Sequence, residues 1–389
     1  MKQKRIVILG STGSIGDSAL KVINSFYGDF KIVGLTTGAN IEKLSRQIKR
    51  FKPEAVGIVS PQSFQNFKQS HAASNGVKFY GGVESLEKIA TLPDVDLVLS
   101  GVVGAVGLKA LLSALRMGRS VALANKESLI MAGELVTGTA RKYKAQILPV
   151  DSEHSAMFQC LEGQKGNSIH KIILTASGGP FYRTRGDLSK VSVEKALAHP
   201  NWIMGKKITV DSATLMNKGL EAIEAHYLFQ VPFDRIQIVI HRQSIIHSAV
   251  EFEDSSILAQ LSYPDMCLPI QYALTYPQRK TCPIQRLDFT QLKRLDFAKP
   301  DFRKFPCLAL ALAAGRDGGT APCVLSASNE VAVYAFLGGR IRFTDIPKIV
   351  ETVLDRHEKT SKPDLEMILE ADRWARDLAE TAVRKLERN

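Results

Sequence analysis

"RIVILGSTGSIGDSALKVINS", residues 5–25, decides the fold. Residues 6–9 are continuously apolar, as a strand is when a parallel sheet is covered on both faces. A turn with glycines at 10, 13 and 16 follows. Over residues 17–25, Ala19, Leu20, Val22 and Ile23 fall on one side of a helix, and residues 30–35 read as a second strand. Strand, glycine turn, helix, strand is the unit that seats a pyrophosphate on a helix N-terminus. Glycine lets the backbone turn tightly and approach the phosphates. The spacing is GxxGxxG rather than GxGxxG, but the mechanics are shared, and dinucleotide binding is favoured over a plain turn. NAD sites usually place an acid at the end of the second strand. Here Leu35-Thr36-Thr37-Gly38-Ala39-Asn40 has none, which favours NADP. Lys43 and Arg46 are the cations nearest in sequence for a 2′-phosphate.

The alternation continues through strands at 55–59, 97–100 and 120–124, with a helix at 107–117. Open parallel sheets bind ligands beyond the carboxyl ends of their strands. Asn125-Lys126-Glu127-Ser128 stands at such an end, where Lys126 suits an anion or a carbonyl. For Glu127 a solvated helix cap competes with a site role. The strand at 145–150 runs into Asp151-Ser152-Glu153-His154. In an extended chain Asp151 and Glu153 project to one side and Ser152 to the other. Two carboxylates so close repel unless a cation lies between them. With a third they make a hard-oxygen site for Mg²⁺ or Mn²⁺.

"DSATLMNKGLEAIEAHYLF", residues 211–229, supplies the third. It reads as one helix capped by Asp211 or Ser212, with Asn217, Lys218 and Glu221 on a polar side. Gly219 costs such a helix about 1 kcal/mol against alanine, which implies close approach of a neighbour. Two loops lie between. "TASGGPF", residues 175–181, presents Ser177 and backbone N–H groups after a strand at 171–174. "LAHPNWIMGKK", residues 197–207, sets Trp202 and Met204 between proline and glycine, either as core or as a lid.

Bulk properties narrow the class. The chain has 389 residues and a charge of +12, with its basic residues scattered rather than blocked. That balance favours anionic small molecules over nucleic acid. Five widely spaced cysteines without CxxC argue against a disulfide framework and a thiolate zinc site. The strand pattern begins at once, leaving no room for a signal peptide, and no apolar run reaches the length of a bilayer span. The expected compartment is the reducing cytoplasm. The fold class is α/β: an N-terminal Rossmann-type dinucleotide-binding domain over 1–150, a central α/β catalytic domain over 151–282, a linker at 283–305, and a C-terminal helical bundle over 306–389.

"GSTGSIG", "ANKES", "PVDSEHSA", "TASGGPF", "HPNWIMGKKITVDSATLMNKGLE" and "SASNEVAV" occur in this order. Together they resemble the 1-deoxy-D-xylulose 5-phosphate reductoisomerase family of the non-mevalonate isoprenoid pathway, over essentially the whole chain. The resemblance implies an NADPH-dependent enzyme, a homodimer, whose metal ligands are Asp151, Glu153 and Glu221, with Mg²⁺, Mn²⁺ or Co²⁺. It implies that Lys126, Ser152 and Glu153 contact the substrate near the reacting carbons. Ser177, His199, Ser212, Asn217 and Lys218 hold its phosphate and hydroxyls. NADPH lies on Thr12, Gly13, Ser14 and Ile15, then on Gly38, Ala39 and Asn40, with Asn125, Glu127 and Gly205 nearer the nicotinamide. Trp202 sits in a closing flap. Lys126, Glu153 and Lys218 are the catalytic residues, and Glu221 also faces the substrate. The implied chemistry is a retroaldol–aldol rearrangement followed by hydride reduction to 2-C-methyl-D-erythritol 4-phosphate. Ala39 and Arg242 depart from the family, which often has a basic residue and usually a proline there; Ser326 and Ser328 stand for asparagine and alanine. Two rivals stay open: a two-domain NADP-dependent aldehyde or semialdehyde reductase without a metal, and an NADP-binding regulator that acts on nucleic acid.

Overall fold

The computed structural model describes residues 3–26, 28–70, 76–164, 168–202 and 204–387. Ile203, inside the expected flap, lies outside them. The chain divides into two compact units. The first comprises Met1–Ser128, Val136–Ser155 and Asp265–Gln285; the second comprises Leu129–Leu135, Ala156–Pro264 and Arg286–Asn389.

The first unit is built on a parallel sheet. Its strands are β1 (Lys4–Leu9), β2 (Phe30–Thr37), β3 (Ala55–Ile58), β4 (Lys78–Gly81), β5 (Leu97–Ser100), β6 (Ser120–Leu123) and β7 (Ile147–Pro149). They lie in the order β4-β3-β2-β1-β5-β6-β7. Ile6 to Leu9 have no exposed surface, as their unbroken apolar run predicts. The order reverses at β1, between β2 and β5, and a crevice for a ligand opens at such a switch point. The helix Ser14–Ser25 follows β1 and buries Ala19, Leu20, Val22 and Ile23.

The second unit carries β8 (Ile169–Ala176), β9 (Ile236–Ile240), β10 (Ile246–Phe252) and β11 (Ile257–Leu261), in the order β11-β10-β8-β9. The β10–β11 hairpin turns through Asp254 and Ser256, whose N–H and Oγ donate to the Asp254 carboxylate. The helices Pro306–Asp317, Ala321–Leu337, Asp345–Leu354 and Leu365–Leu386 follow. They do not bury a core of their own. Ile172 and Leu174 of β8 belong to one apolar cluster with Leu220, Ile223, Leu308, Val324, Ile349 and Val383.

The unit boundaries therefore differ from those expected at 150, 282 and 305. Residues 265–285 belong to the first unit, where the Lys4 ammonium donates to the Leu274 carbonyl at 2.9 Å and Lys280 pairs with Asp29 at 2.6 Å. The expected linker contains a short helix, Phe289–Leu292, and a bridge from Ala298 to Ile240.

The region read as one helix at 211–229 is two, Lys206–Ala213 and Met216–Phe229, broken at Leu215 with φ +59°. Asp211 and Ser212 thus lie inside the first helix and cap nothing. Gly219 does mark a close approach: a Cβ built there would meet the Ala311 Cβ at 2.3 Å. Gly219→Ala gains about 1 kcal/mol of helix propensity but overpacks the helix pair at a cost of about 1–3 kcal/mol. A net loss of stability in thermal unfolding is expected.

Candidate active site

In the first unit the glycine turn is fastened to the end of β2. The Gly10 N–H donates to Thr36 Oγ1 at 2.8 Å, and the Thr12 and Thr37 hydroxyls lie 2.6 Å apart. A Cβ on Gly16 would fall 2.3 Å from the Ser11 carbonyl oxygen, so only glycine lets the helix pack this close to the turn. Gly13 caps that helix without a side-chain hydrogen bond, and an uncapped helix N-terminus next to Thr12, Ser14 and Ile15 is the kind of end that suits an anion. Gly38 and Ala39 lead to Asn40, whose Oδ1 accepts from the Lys43 N–H and caps the next helix. The Lys43 ammonium donates to the Thr12 carbonyl at 3.0 Å and to Asp17 at 2.5 Å. Arg46 is turned outward to exposed Glu42. Of the two cations singled out for a 2′-phosphate, Lys43 is the one tied to the glycine turn.

After β6, the Asn125 Oδ1 accepts from the Ser128 N–H at 3.2 Å, and its Nδ2 donates to the Gly104 carbonyl at 3.0 Å. This caps the helix Lys126–Lys142. Lys126 and Glu127 are buried rather than solvated, which removes the bland reading of Glu127 as a surface cap. The Lys126 ammonium lies 2.5 Å from Asp151 Oδ2.

β7 ends at Pro149, and the chain turns helical over Ser152–Leu161. The extended alternation expected at 151–153 is therefore absent. Asp151 stands at the head of the helix, its carbonyl accepting the Ser155 N–H at 2.8 Å, and Glu153 lies in the first turn. The positive end of the helix dipole favours both carboxylates there. The Ser152 hydroxyl donates to Glu153.

In the second unit Ser177 follows β8 and its Oγ lies 3.0 Å from His199 Nε2. Asn201 and Trp202 donate their N–H groups to His199 Nδ1 at 3.2 and 3.0 Å. A neutral ring so held carries its hydrogen on Nε2 and donates it to Ser177. Trp202 is half-buried, its ring 6.2 Å from the ring of buried His247. Gly205 begins the helix Lys206–Ala213, which carries Ser212.

In the helix Met216–Phe229 the Asn217 amide donates to Glu221 Oε1 at 2.5 Å, and the Lys218 ammonium pairs with Glu221. Glu221 is 1% exposed and Lys218 4%. Sequence reading placed these three on one side, and the structure joins them. It missed Asp211, which is buried and accepts from Lys207 and from the Asn329 amide, each at 2.8 Å. The Lys207–Asp211 spacing of four was legible; Asn329 was not. Burial pushes the Cys267 thiol up to about 11 and the Cys307 thiol up to about 12, which disfavours the thiolate at both.

All the donors singled out for a metal are carboxylate oxygens, which suits a hard divalent ion. Two of the three are paired with an ammonium, Asp151 with Lys126 and Glu221 with Lys218, and the Asn217 amide also donates to Glu221.

Family models match most of the chain. The model described as 1-deoxy-D-xylulose 5-phosphate reductoisomerase matches residues 6–133. That of its C-terminal domain matches 147–229, and a second, described as the DXP reductoisomerase C-terminal domain, matches 261–378. Enzymes of that name from Endomicrobium trichonymphae and Pelotomaculum thermopropionicum are 50% and 51% identical over 385 and 384 residues. Those alignments cover 98% of this chain and 100% and 99% of the relatives. Among solved structures, the Zymomonas mobilis reductoisomerase in complex with NADPH is 41% identical with a TM-score of 0.92, covering 99% of this chain and 100% of that one. A DOX-P reductoisomerase in complex with NADPH, fosmidomycin and magnesium is 41% identical with a TM-score of 0.94, covering 98% and 99%.

Proposed function

The chain belongs to the 1-deoxy-D-xylulose 5-phosphate reductoisomerase family, and from that premise we propose how its own residues perform the reaction. It is an NADPH- and divalent-metal-dependent enzyme that converts 1-deoxy-D-xylulose 5-phosphate to 2-C-methyl-D-erythritol 4-phosphate. When bound, the cation supplies Lewis acidity and NADPH the hydride.

Asp151, Glu153 and Glu221 would be the oxygen ligands of the ion. Lys126, Ser152 and Glu153 contact the substrate near its reacting carbons. Lys126 and Lys218 stabilise negative charge that develops on oxygen; buried ammonium groups do this better than solvated ones because little water screens them. Glu153, beside the Ser152 hydroxyl, orients the substrate's hydroxyls. Ser177, His199, Ser212, Asn217 and Lys218 bind the phosphate and hydroxyls. Thr12, Gly13, Ser14 and Ile15 take the dinucleotide pyrophosphate, Gly38, Ala39 and Asn40 the adenosine end, and Asn125, Glu127 and Gly205 the nicotinamide end. Trp202 covers the site and excludes water.

The observation that carries this reading is Glu221, a fully buried carboxylate held by Asn217 and Lys218. Its charge is paired with Lys218, and its carboxylate oxygens are the donors a hard divalent cation takes. The chain is further read as a cytoplasmic homodimer. Its free cysteines support a reducing compartment. The edge strand β11, with Ile257 and Leu258 exposed, offers a face for a second copy. Among the described residues no helix is long and apolar enough to cross a membrane.

The test is NADPH oxidation with 1-deoxy-D-xylulose 5-phosphate. EDTA is expected to abolish it and Mg²⁺ to restore it. NADPH is expected to exceed NADH by at least about tenfold in kcat/KM, as charge-assisted contacts to the 2′-phosphate require. Activity that survives EDTA favours the metal-free reductase.

A further inference from the structure

The turn between β9 and β10 carries Arg242, and its surroundings form a closed circuit. The guanidinium Nη1 donates to the Gly179 carbonyl at 3.2 Å. The Gly179 N–H donates to Ser177 Oγ at 3.2 Å. Ser177 meets His199, and His199 accepts from the Asn201 N–H. The Asn201 amide returns to the turn, donating to the Arg242 carbonyl at 2.5 Å and to Ser244 Oγ at 2.9 Å. Gly179 also lies hard against Ser212: a Cβ on it would fall 2.6 Å from the Ser212 carbonyl oxygen. Four segments of the second unit thus meet at one point, and Arg242 is the cation there.

Two features mark this point as built for an anion. Ser177 Oγ accepts from both the Gly179 N–H and His199 Nε2, so its own hydrogen is directed away from these partners. Arg242 is half-buried, spends one N–H on Gly179 and sets its face toward the Tyr182 ring at 6.0 Å. Among the described residues no carboxylate pairs with it. A guanidinium has five N–H donors, so the fork keeps donors for a ligand. Burial, and then the like charge of Arg183, hold Arg242 below the usual arginine value. A bound anion relieves such like-charge repulsion.

We propose that Arg242 is a further substrate-binding residue, the cationic arm of a phosphomonoester subsite that it shares with Ser177 and His199. This rests on the reading of Ser177 and His199 as phosphate contacts. An arginine here adds a charge-assisted hydrogen bond beside the Ser177 hydroxyl, the His199 imidazole and the backbone N–H groups of their loop. The same residue ties the site to Asn201 and hence to the segment carrying Trp202.

The experiment uses the full chain with NADPH and Mg²⁺ and compares Arg242→Gln, Arg242→Lys and Arg183→Gln. Two quantities are read: kcat and KM for 1-deoxy-D-xylulose 5-phosphate, and the Kd of inorganic phosphate by calorimetry. Loss of one charge-assisted hydrogen bond predicts that R242Q raises both KM and the phosphate Kd by about tenfold or more, with kcat within about twofold of the unmodified protein. R242K should recover part of the affinity, and R183Q should change it less than about threefold, because an exposed charge acts only through the screened field. Unchanged KM and phosphate Kd in R242Q overturn the proposal. So does an equal effect of R183Q, which reduces Arg242 to general surface charge. A fall in kcat with KM unchanged also overturns it, making Arg242 a strut for the flap. If the unmodified protein binds phosphate but does not turn over the sugar phosphate, the proposed function fails while the phosphate titration still decides the role of Arg242.

Discussion

Glu221→Gln is expected to leave a folded protein in which metal-dependent NADPH oxidation falls by about 10²- to 10³-fold. The estimate follows from the several kcal/mol that Lewis-acid assistance contributes to a barrier. Glutamine keeps the shape of the side chain and an acceptor oxygen, so packing around the helix Met216–Phe229 is preserved. What disappears is the charge. The Lys218 ammonium, 4% exposed, then lacks its carboxylate and no longer completes a neutral cluster with Asn217. The check is steady-state kinetics over a range of Mg²⁺ concentrations, with far-ultraviolet circular dichroism to establish the fold. Turnover within tenfold of the unmodified protein removes Glu221 from the chemistry.

Lys218→Met should have the second large effect, on stability as well as turnover. Removing one member of a buried ion pair costs about 3–5 kcal/mol, because the remaining charge is left in a low-dielectric site. For units of this size that corresponds to a Tm lower by on the order of 10 °C. The loss should be relieved by Mg²⁺. With the ammonium gone, the carboxylate is a stronger cation ligand, and ligand binding stabilises by mass action. Mg²⁺ is therefore expected to raise the Tm of K218M by more than that of the unmodified protein. Scanning calorimetry with and without the ion measures both shifts. Equal shifts in the two proteins place the ion away from Glu221.

The parts of this molecule legible in its sequence are those fixed by local chemistry. The unbroken apolar run of β1, the glycines of the turn and the 3.6-residue period of Ala19, Leu20, Val22 and Ile23 fix a strand–turn–helix unit without knowledge of anything distant. Gly219 gave away its neighbour because a glycine in a helix interior needs a reason, and Ala311 is the reason. The polar side formed by Asn217, Lys218 and Glu221 was legible for the same cause, being a matter of helical spacing.

Where reading failed, the deciding interaction was not local or carried no signal. The break at Leu215 has neither glycine nor proline; it is held by the Met216 N–H on Thr214 Oγ1. The helical start after Asp151 was misread because an apolar strand and a buried helix share composition at their junction. The Lys126–Asp151 pair joins residues in two successive strand–helix crossings, and Asn329–Asp211 spans 118 residues. No window along the chain contains either. The same holds for the shared core of β8 and the last four helices, which composition alone presented as a separate bundle.

The most direct test of the account is an equilibrium Mn²⁺ titration, followed by electron paramagnetic resonance, on the unmodified protein and on Asp151→Asn, Glu153→Gln and Glu221→Gln. The account predicts one tight site per chain, weakened by at least about tenfold in each variant, since every lost carboxylate removes a charged oxygen ligand. A Glu221→Gln protein that binds Mn²⁺ as tightly as the unmodified chain, while the two other variants do not, contradicts it.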